Sequence, residues 1–275
     1  QYASCPFSSA LIRDCLERGK DAANGGARYN FVYPCFPGFV NVIDSLAAVK
    51  QAVYEEKTLT LAETYTMIAE NFRDYEKERL YLLNRCAKFG NDLPEADAIA
   101  YDFYRFIYDE LSRYKTCLGG TFHPSYFAWV MHGHFGKNSA ATPDGRLAGT
   151  ALSECLGAAQ GRDRNGPTAV MRSISPIDQS LSIGGIATNF RFTKSLLAGK
   201  AGQAALASFI RAFFAGGNFE CQFNAVSQKD LLDAQKNPEN YQSLQVRVAG
   251  YSDYFVNLDP VIQNEVIMRT EHDAM

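Results

Sequence analysis

Four short β-prone runs, at residues 170–174, 183–192, 219–226 and 244–248, alternate with helical stretches over about 201–214 and 228–237. Strands interleaved with helices need a sheet that the helices cover. The spacing therefore predicts an α/β sheet or barrel, with functional groups on loops at the strand ends. The earlier part of the chain keeps a helical period instead. Residues 8–18 read as one short amphipathic helix through Leu11, Ile12, Cys15 and Leu16, stopped by Gly19, and residues 44–55 as another through Leu46, Val49 and Val53. Residues 60–86 read as one or two helices, and 94–115 as a long one with Pro94 in its first turn. Its stripe of Tyr101, Tyr104, Ile107, Tyr108 and Leu111 has the spacing of a packing face.

With 275 residues, 47% of them hydrophobic and 21% charged, the chain can bury a substantial core in one large or two modest domains. A net charge of −3 without blocks of like charge gives no reason to expect a nucleic acid or an anionic membrane, and favours metabolite-sized substrates. Apolar runs such as 206–214, interrupted by Arg211, are too short to span a bilayer, and no secretory signal is visible, so a cytoplasmic location is expected. Seven cysteines without a CxxC fit reduced thiols better than a disulfide framework. The chain opens on Gln1, and Cys5-Pro6-Phe7 runs at once into a helix, which reads as a segment whose upstream part is absent, cleaved or supplied as another chain.

Most familiar site patterns are missing. His132-Gly133-His134 reads as a loop with no acidic or cysteine partner nearby, short of the three or four ligands zinc requires, so no metal is expected. Ala141-Thr142-Pro143-Asp144-Gly145-Arg146 is a turn by local rules. Residues 157–166 lack the spacing of a phosphate-binding loop, so no bound cofactor is expected, and no nucleophile elbow or Ser-His-Asp order stands out.

The sharpest chemical feature is Arg247-Val248-Ala249-Gly250-Tyr251-Ser252-Asp253-Tyr254-Phe255-Val256-Asn257-Leu258. Removing a hydrogen atom from the Gly250 α-carbon would leave a radical delocalised onto the flanking amide nitrogen and carbonyl. Glycine alone has no Cβ to crowd that planar centre, and it tolerates the backbone angles of a tight buried loop. Taken alone, Gly250 reads as the end of a short strand over 244–248 that turns the chain into its terminal helix, and its surroundings change that reading.

This loop closely resembles the radical-bearing loop of the glycyl radical enzymes, and other stretches resemble that family in its own order. They are Asp14-Cys15-Leu16-Glu17-Arg18-Gly19-Lys20 with Gly25-Gly26-Ala27-Arg28-Tyr29-Asn30, then Asp44-Ser45-Leu46-Ala47-Ala48-Val49-Lys50. Leu83-Asn84-Arg85-Cys86, Lys88-Phe89-Gly90-Asn91-Asp92, Thr142-Pro143-Asp144-Gly145-Arg146, Asn165-Gly166-Pro167-Thr168-Ala169 and Arg269-Thr270-Glu271-His272 complete the series. The resemblance implies the C-terminal half of a ten-stranded α/β barrel with peripheral helices and a buried glycine loop. Residues 1–120 would be its mainly helical part, and residues 121–275 the half-barrel strands with the glycine-radical domain. Gly250 would be the radical site, with Arg247, Ala249 and Tyr251 as loop neighbours.

The resemblance also implies an activating partner, an iron–sulfur enzyme that cleaves S-adenosylmethionine, and an oxygen-sensitive protein that can form a homodimer. In the family the radical passes to a cysteine in a Gly-Cys-Val-Glu type motif. Cys5, Cys15, Cys35, Cys86, Cys117, Cys155 and Cys221 all lie in other contexts, so that cysteine and its glutamate are expected outside this chain. The stretch Asn165-Gly166-Pro167-Thr168-Ala169 resembles the dehydratase and lyase branch, implying elimination from a small hydroxylated metabolite. A formate acetyltransferase-like C–C lyase, a noncatalytic fragment and a binding domain are the alternatives. In Ile183-Gly184-Gly185-Ile186-Ala187-Thr188-Asn189 the glycines could approach a substrate or merely bend a strand.

Overall fold

The structure, a computed structural model, describes residues 3–275. The first expected helix is broken in two, α1 (Pro6–Leu11) and α2 (Cys15–Arg18). Asp14 between them takes the left-handed conformation at φ 74° and accepts a hydrogen bond from Arg28 at 2.9 Å, tying the break to the glycine-rich loop that follows. Gly19, also left-handed, ends α2 as its position predicts.

Helix α3 (Phe39–Val49) starts earlier than its sequence period suggests, directly after Gly38 at φ 83°, and widens into a π-helical turn over Lys50–Glu55. Helices α4 (Leu61–Ala69) and α5 (Glu76–Asn84) are separate, because Asn71, Phe72 and Asp74 all take positive φ between them. Thr60 caps α4 through a capping box with Glu63. Helix α6 (Pro94–Ser112) buries Ala96, Ala100, Tyr104 and Ile107 in the same core as Phe39, Val40, Ile43 and Ala47 of α3. The tyrosine stripe is packing, as expected: the Tyr104 ring stacks 5.1 Å from Tyr126, and its hydroxyl meets Ser182 Oγ at 2.6 Å.

One member of that helix carries a pH dependence. Burial pushes the Asp97 carboxyl from 3.8 up to about 6, and its Oδ1 has no hydrogen-bond partner among the described residues. The folded chain then binds more protons than the unfolded chain between about pH 4 and 6, and this group's contribution to stability falls as pH rises through that window. Asp97→Asn is expected to be more stable than the parent at pH 7, by about 2 kcal/mol at most, and to lose that slope. Urea unfolding at pH 4 and pH 7 tests this, and an unchanged slope would refute it.

His132 and His134 lie on α7 (Met131–Lys137), not in a loop. Residues 170–174 are helical too, inside α8 (Pro167–Ile174), and not the strand their β-branched content suggests. Pro167 occupies the first turn, and Val170 and Ile174, four residues apart, both face the core. The remaining runs do form strands, shorter than expected: β1 (Thr188–Phe192), β2 (Cys221–Asn224) and β3 (Gln245–Arg247), joined by β4 (Ser252–Tyr254) and β5 (Glu271–His272). Strand β1 is central, parallel to β2 on one side and β5 on the other.

Helix α9 (Gly199–Ala215) links β1 to β2 and packs Phe209 and Phe213 onto Phe190 and Phe192, neighbours on one face of β1. Helix α10 (Gln228–Lys236) follows β2, and α11 (Pro260–Met268) precedes β5. Gly184 and Gly185 precede β1, so they do not bend it. A Cβ on Gly184 would lie 2.8 Å from Tyr33 Cδ1 and 2.9 Å from the Pro124 carbonyl, so this glycine lets three chain segments pack closely. No helix among the described residues is long and apolar enough to cross a membrane.

Candidate active site around Gly250

Strands β3 and β4 form an antiparallel hairpin, and Gly250 lies in its reversal at φ 81°. The expectation that the glycine turns the chain straight into the terminal helix is therefore corrected: the hairpin returns first, and α11 begins only at Pro260. Left-handed backbone selects glycine, and so does space. A Cβ here would sit 1.8 Å from Phe127 Cζ. The bare α-carbon thus lies directly against an aromatic ring.

Strand β2 clamps the hairpin with two buried amides on one face. Gln222 Oε1 accepts the Gly250 amide at 3.0 Å and Arg247 Nε at 2.9 Å. Asn224 pairs with the Arg247 main chain both ways, donating to its carbonyl at 2.8 Å and accepting its amide at 2.7 Å. Side chains two apart on a strand share a face, so a single strand supplies both contacts. Of the expected loop neighbours, Arg247 is thus anchored on both side chain and backbone. Ala249 is fully buried against Cys155, Ala187 and Phe127, and Tyr251 is partly buried.

Beneath the hairpin lies a buried ionic cluster. Arg269 donates to the carbonyls of Arg247 at 3.1 Å and Val248 at 2.8 Å, to both oxygens of Glu265, and to Glu154 at 3.2 Å. Burial works to raise both carboxyls. Arg269 overrides it at Glu265, which is held well below the usual carboxylate range, while Glu154 stays raised. Asn189 donates to Glu154 at 2.6 Å and Gln160 to Glu265 at 3.1 Å.

His132, fully buried, stands 3.7 Å from Glu265, so the absence of an acidic partner expected from sequence does not hold. His132, Glu154 and Glu265 bring their donor atoms within 4.8 Å of one another, spacing that could hold a metal ion. Arg269 already supplies the positive charge between the two carboxylates, and a metal cation would have to compete with it. The arrangement fits a backbone anchor better than a metal site.

The Asp144 turn proves structural in its contacts. Asp144 is buried, ion-paired to Arg162, and accepts from Asn41 at 3.0 Å, while Asp44 lies 3.4 Å from the same guanidinium. Near the hairpin, Cys35 donates its thiol to the Phe127 carbonyl at 3.2 Å, and burial raises its pKa.

Sequence reading located the glycine loop and missed Phe127, Gln222, Asn224, Glu154, Glu265 and Arg269 as its supports. A partial signal was available in Gln222 and Asn224, polar residues alternating within a β-prone run.

Residues 1–136 match the pyruvate formate lyase-like family, and residues 152–256, which include Gly250, match the glycine radical family. The chain is 38% identical over 271 residues to trans-4-hydroxy-L-proline dehydratase of Clostridioides difficile, covering 98% of this chain and 34% of that protein. It is 39% identical over 280 residues to isethionate sulfite-lyase of Oleidesulfovibrio alaskensis, covering 98% and 33%. Among solved structures, the glycerol-bound form of the B12-independent glycerol dehydratase from Clostridium butyricum superposes with a TM-score of 0.93 at 40% identity, covering 98% of this chain and 34% of that one. The chain spans about a third of the length of these relatives.

Proposed function

Because the chain belongs to the glycyl radical enzyme family and its parallel sheet is part of that family's α/β barrel, we propose that it is the radical-bearing portion of a dehydratase or related lyase acting on a small hydroxylated metabolite, with Gly250 as the radical site. The observation that carries this reading is the environment of Gly250. Its α-carbon has no room for a side chain, its amide is held by Gln222, and it lies within the segment matching the glycine radical family.

In the proposed sequence, an activating enzyme that cleaves S-adenosylmethionine at an iron–sulfur cluster removes one hydrogen atom from the Gly250 α-carbon. The unpaired electron is shared between the neighbouring amide nitrogen and carbonyl. A cysteine outside this chain then gives its thiol hydrogen atom back to Gly250, leaving a thiyl radical. The thiyl takes a hydrogen atom from the substrate carbon next to the hydroxyl-bearing one, the C–O bond beside that radical breaks and its oxygen leaves as water with a proton from a general acid, and the product radical recovers its hydrogen atom from the cysteine. General acid and base groups move the protons of that elimination. The dehydratase names among the relatives, with the Asn165-Gly166-Pro167-Thr168-Ala169 stretch, favour C–O over C–C cleavage.

The test is anaerobic activation followed by electron paramagnetic resonance. A glycyl radical keeps one α-hydrogen, so the expected signal is a doublet that collapses when the protein carries α-deuterated glycine. Air should then cut the backbone at residue 250. A radical whose spectrum ignores the label, or an activated chain that stays intact in air, would count against Gly250.

A further inference from the structure

Away from the hairpin, two neighbouring cavities of about 330 and 380 Å³ share Arg146, Thr150, Gln160, Arg162 and Met268. Either is large enough for a small metabolite. No residue of the 244–258 segment lines them, although Gln160 and Glu265 of the cluster beneath the hairpin reach the first. Their walls come from two parts of the fold. One part supplies Arg79, Arg146, Arg162 and Arg164, and the other Gln228 and Leu232 of α10 with Val261 and Met268 of α11.

The four guanidinium groups are not equally neutralised. Arg79 is paired with Glu76 at 2.7 Å, and Arg162 with Asp144 and Asp44. Among the described residues, the Arg164 guanidinium donates only to the carbonyl and side-chain oxygens of Asn84. Arg146, 5% exposed, donates to the carbonyls of Leu147, Thr150 and Ala140 and to the Thr150 hydroxyl. Its Nε has no hydrogen-bond partner among the described residues. The carboxylate on the cavity wall, Glu265, is committed to Arg269.

Among the described residues, neither Arg146 nor Arg164 forms an ion pair with a carboxylate, in a chain whose net charge is −3. Burial works against the Arg146 charge, Asp144 supports it, and an anion held in the cleft would support it further. We propose that this cleft binds a small polyanion, through phosphate or carboxylate oxygens set against Arg146 and Arg164, with its carbon skeleton against Leu232, Val261 and Met268. Such a ligand would bridge the α10 and α11 region to the Arg146 turn.

Calorimetric titration of the chain with inorganic phosphate and with citrate, at constant ionic strength set by chloride, tests the proposal. Saturable one-site binding of either anion is expected, with a rise in Tm. Phosphate alone would identify phosphoryl recognition, citrate alone carboxylate recognition, and both the shared chemistry. Arg164→Gln, at an exposed position, is expected to weaken binding at least about tenfold without unfolding the chain. Arg146→Gln should weaken it further in protein shown to be folded by circular dichroism, whereas Arg113→Gln, just past the end of α6, should leave it unchanged. Absence of saturable heat up to about 10 mM with both anions, or binding that Arg164→Gln leaves at parental strength, would overturn it.

Discussion

Gly250→Ala is expected to abolish the radical signal and the oxygen-dependent cut, and to destabilise the fold for a separate reason. The new methyl carbon would sit 1.8 Å from Phe127 Cζ and 2.5 Å from Cε1, at a φ of 81° where side chains are strained. Left-handed backbone costs an alanine about 1–2 kcal/mol, and forcing a group into a filled space costs about 1–3 kcal/mol. Loss of signal in the single variant could therefore reflect a displaced hairpin. Gly250→Ala with Phe127→Ala distinguishes the two causes, because removing the ring relieves the overlap. The double variant should recover part of the stability and none of the radical, while Phe127→Ala alone should still form it. A doublet persisting in Gly250→Ala would move the radical to another residue.

The second large effect is expected at Arg269. Arg269→Met keeps most of the side-chain volume but leaves Glu154 and Glu265 buried without their cation, and removes the donors to the carbonyls of Arg247 and Val248. Breaking a buried ion pair from one side costs about 3–5 kcal/mol. The pH dependence has a definite sign. In the parent, Glu265 is depressed below its unfolded value of 4.5, so its contribution is present above that pH and is lost as pH falls through the folded pKa.

In Arg269→Met the same carboxyl is raised by burial, so the deficit should be largest at pH 8 and shrink toward pH 5 as protonation neutralises it. Adding Glu265→Gln should restore part of the loss at pH 8 by removing one of the stranded charges. Urea unfolding of both variants at the two pH values is the measurement. A single variant within about 1 kcal/mol of the parent at both would show that the cluster does not anchor the hairpin.

What the sequence by itself determined is local. Periodicity placed α6, α9 and α10 to within a few residues, because a helix's apolar face is written every three or four positions. The loop carrying Gly250 was legible for the same reason: its distinctive residues adjoin one another in the chain. Where two local signals conflicted, the reading failed. The β-branched residues between 170 and 174 suggested a strand, yet Pro167 and the four-residue spacing of Val170 and Ile174 made a helix.

Tertiary structure alone decided what surrounds the glycine. Gln222 reaches Gly250 across 28 residues, and Glu154 reaches Arg269 across 115. Each of those side chains is unremarkable where it stands in the chain. An arginine or glutamate reads as a surface residue until the fold removes water from it, and once buried it must find its opposite charge wherever the chain has brought one.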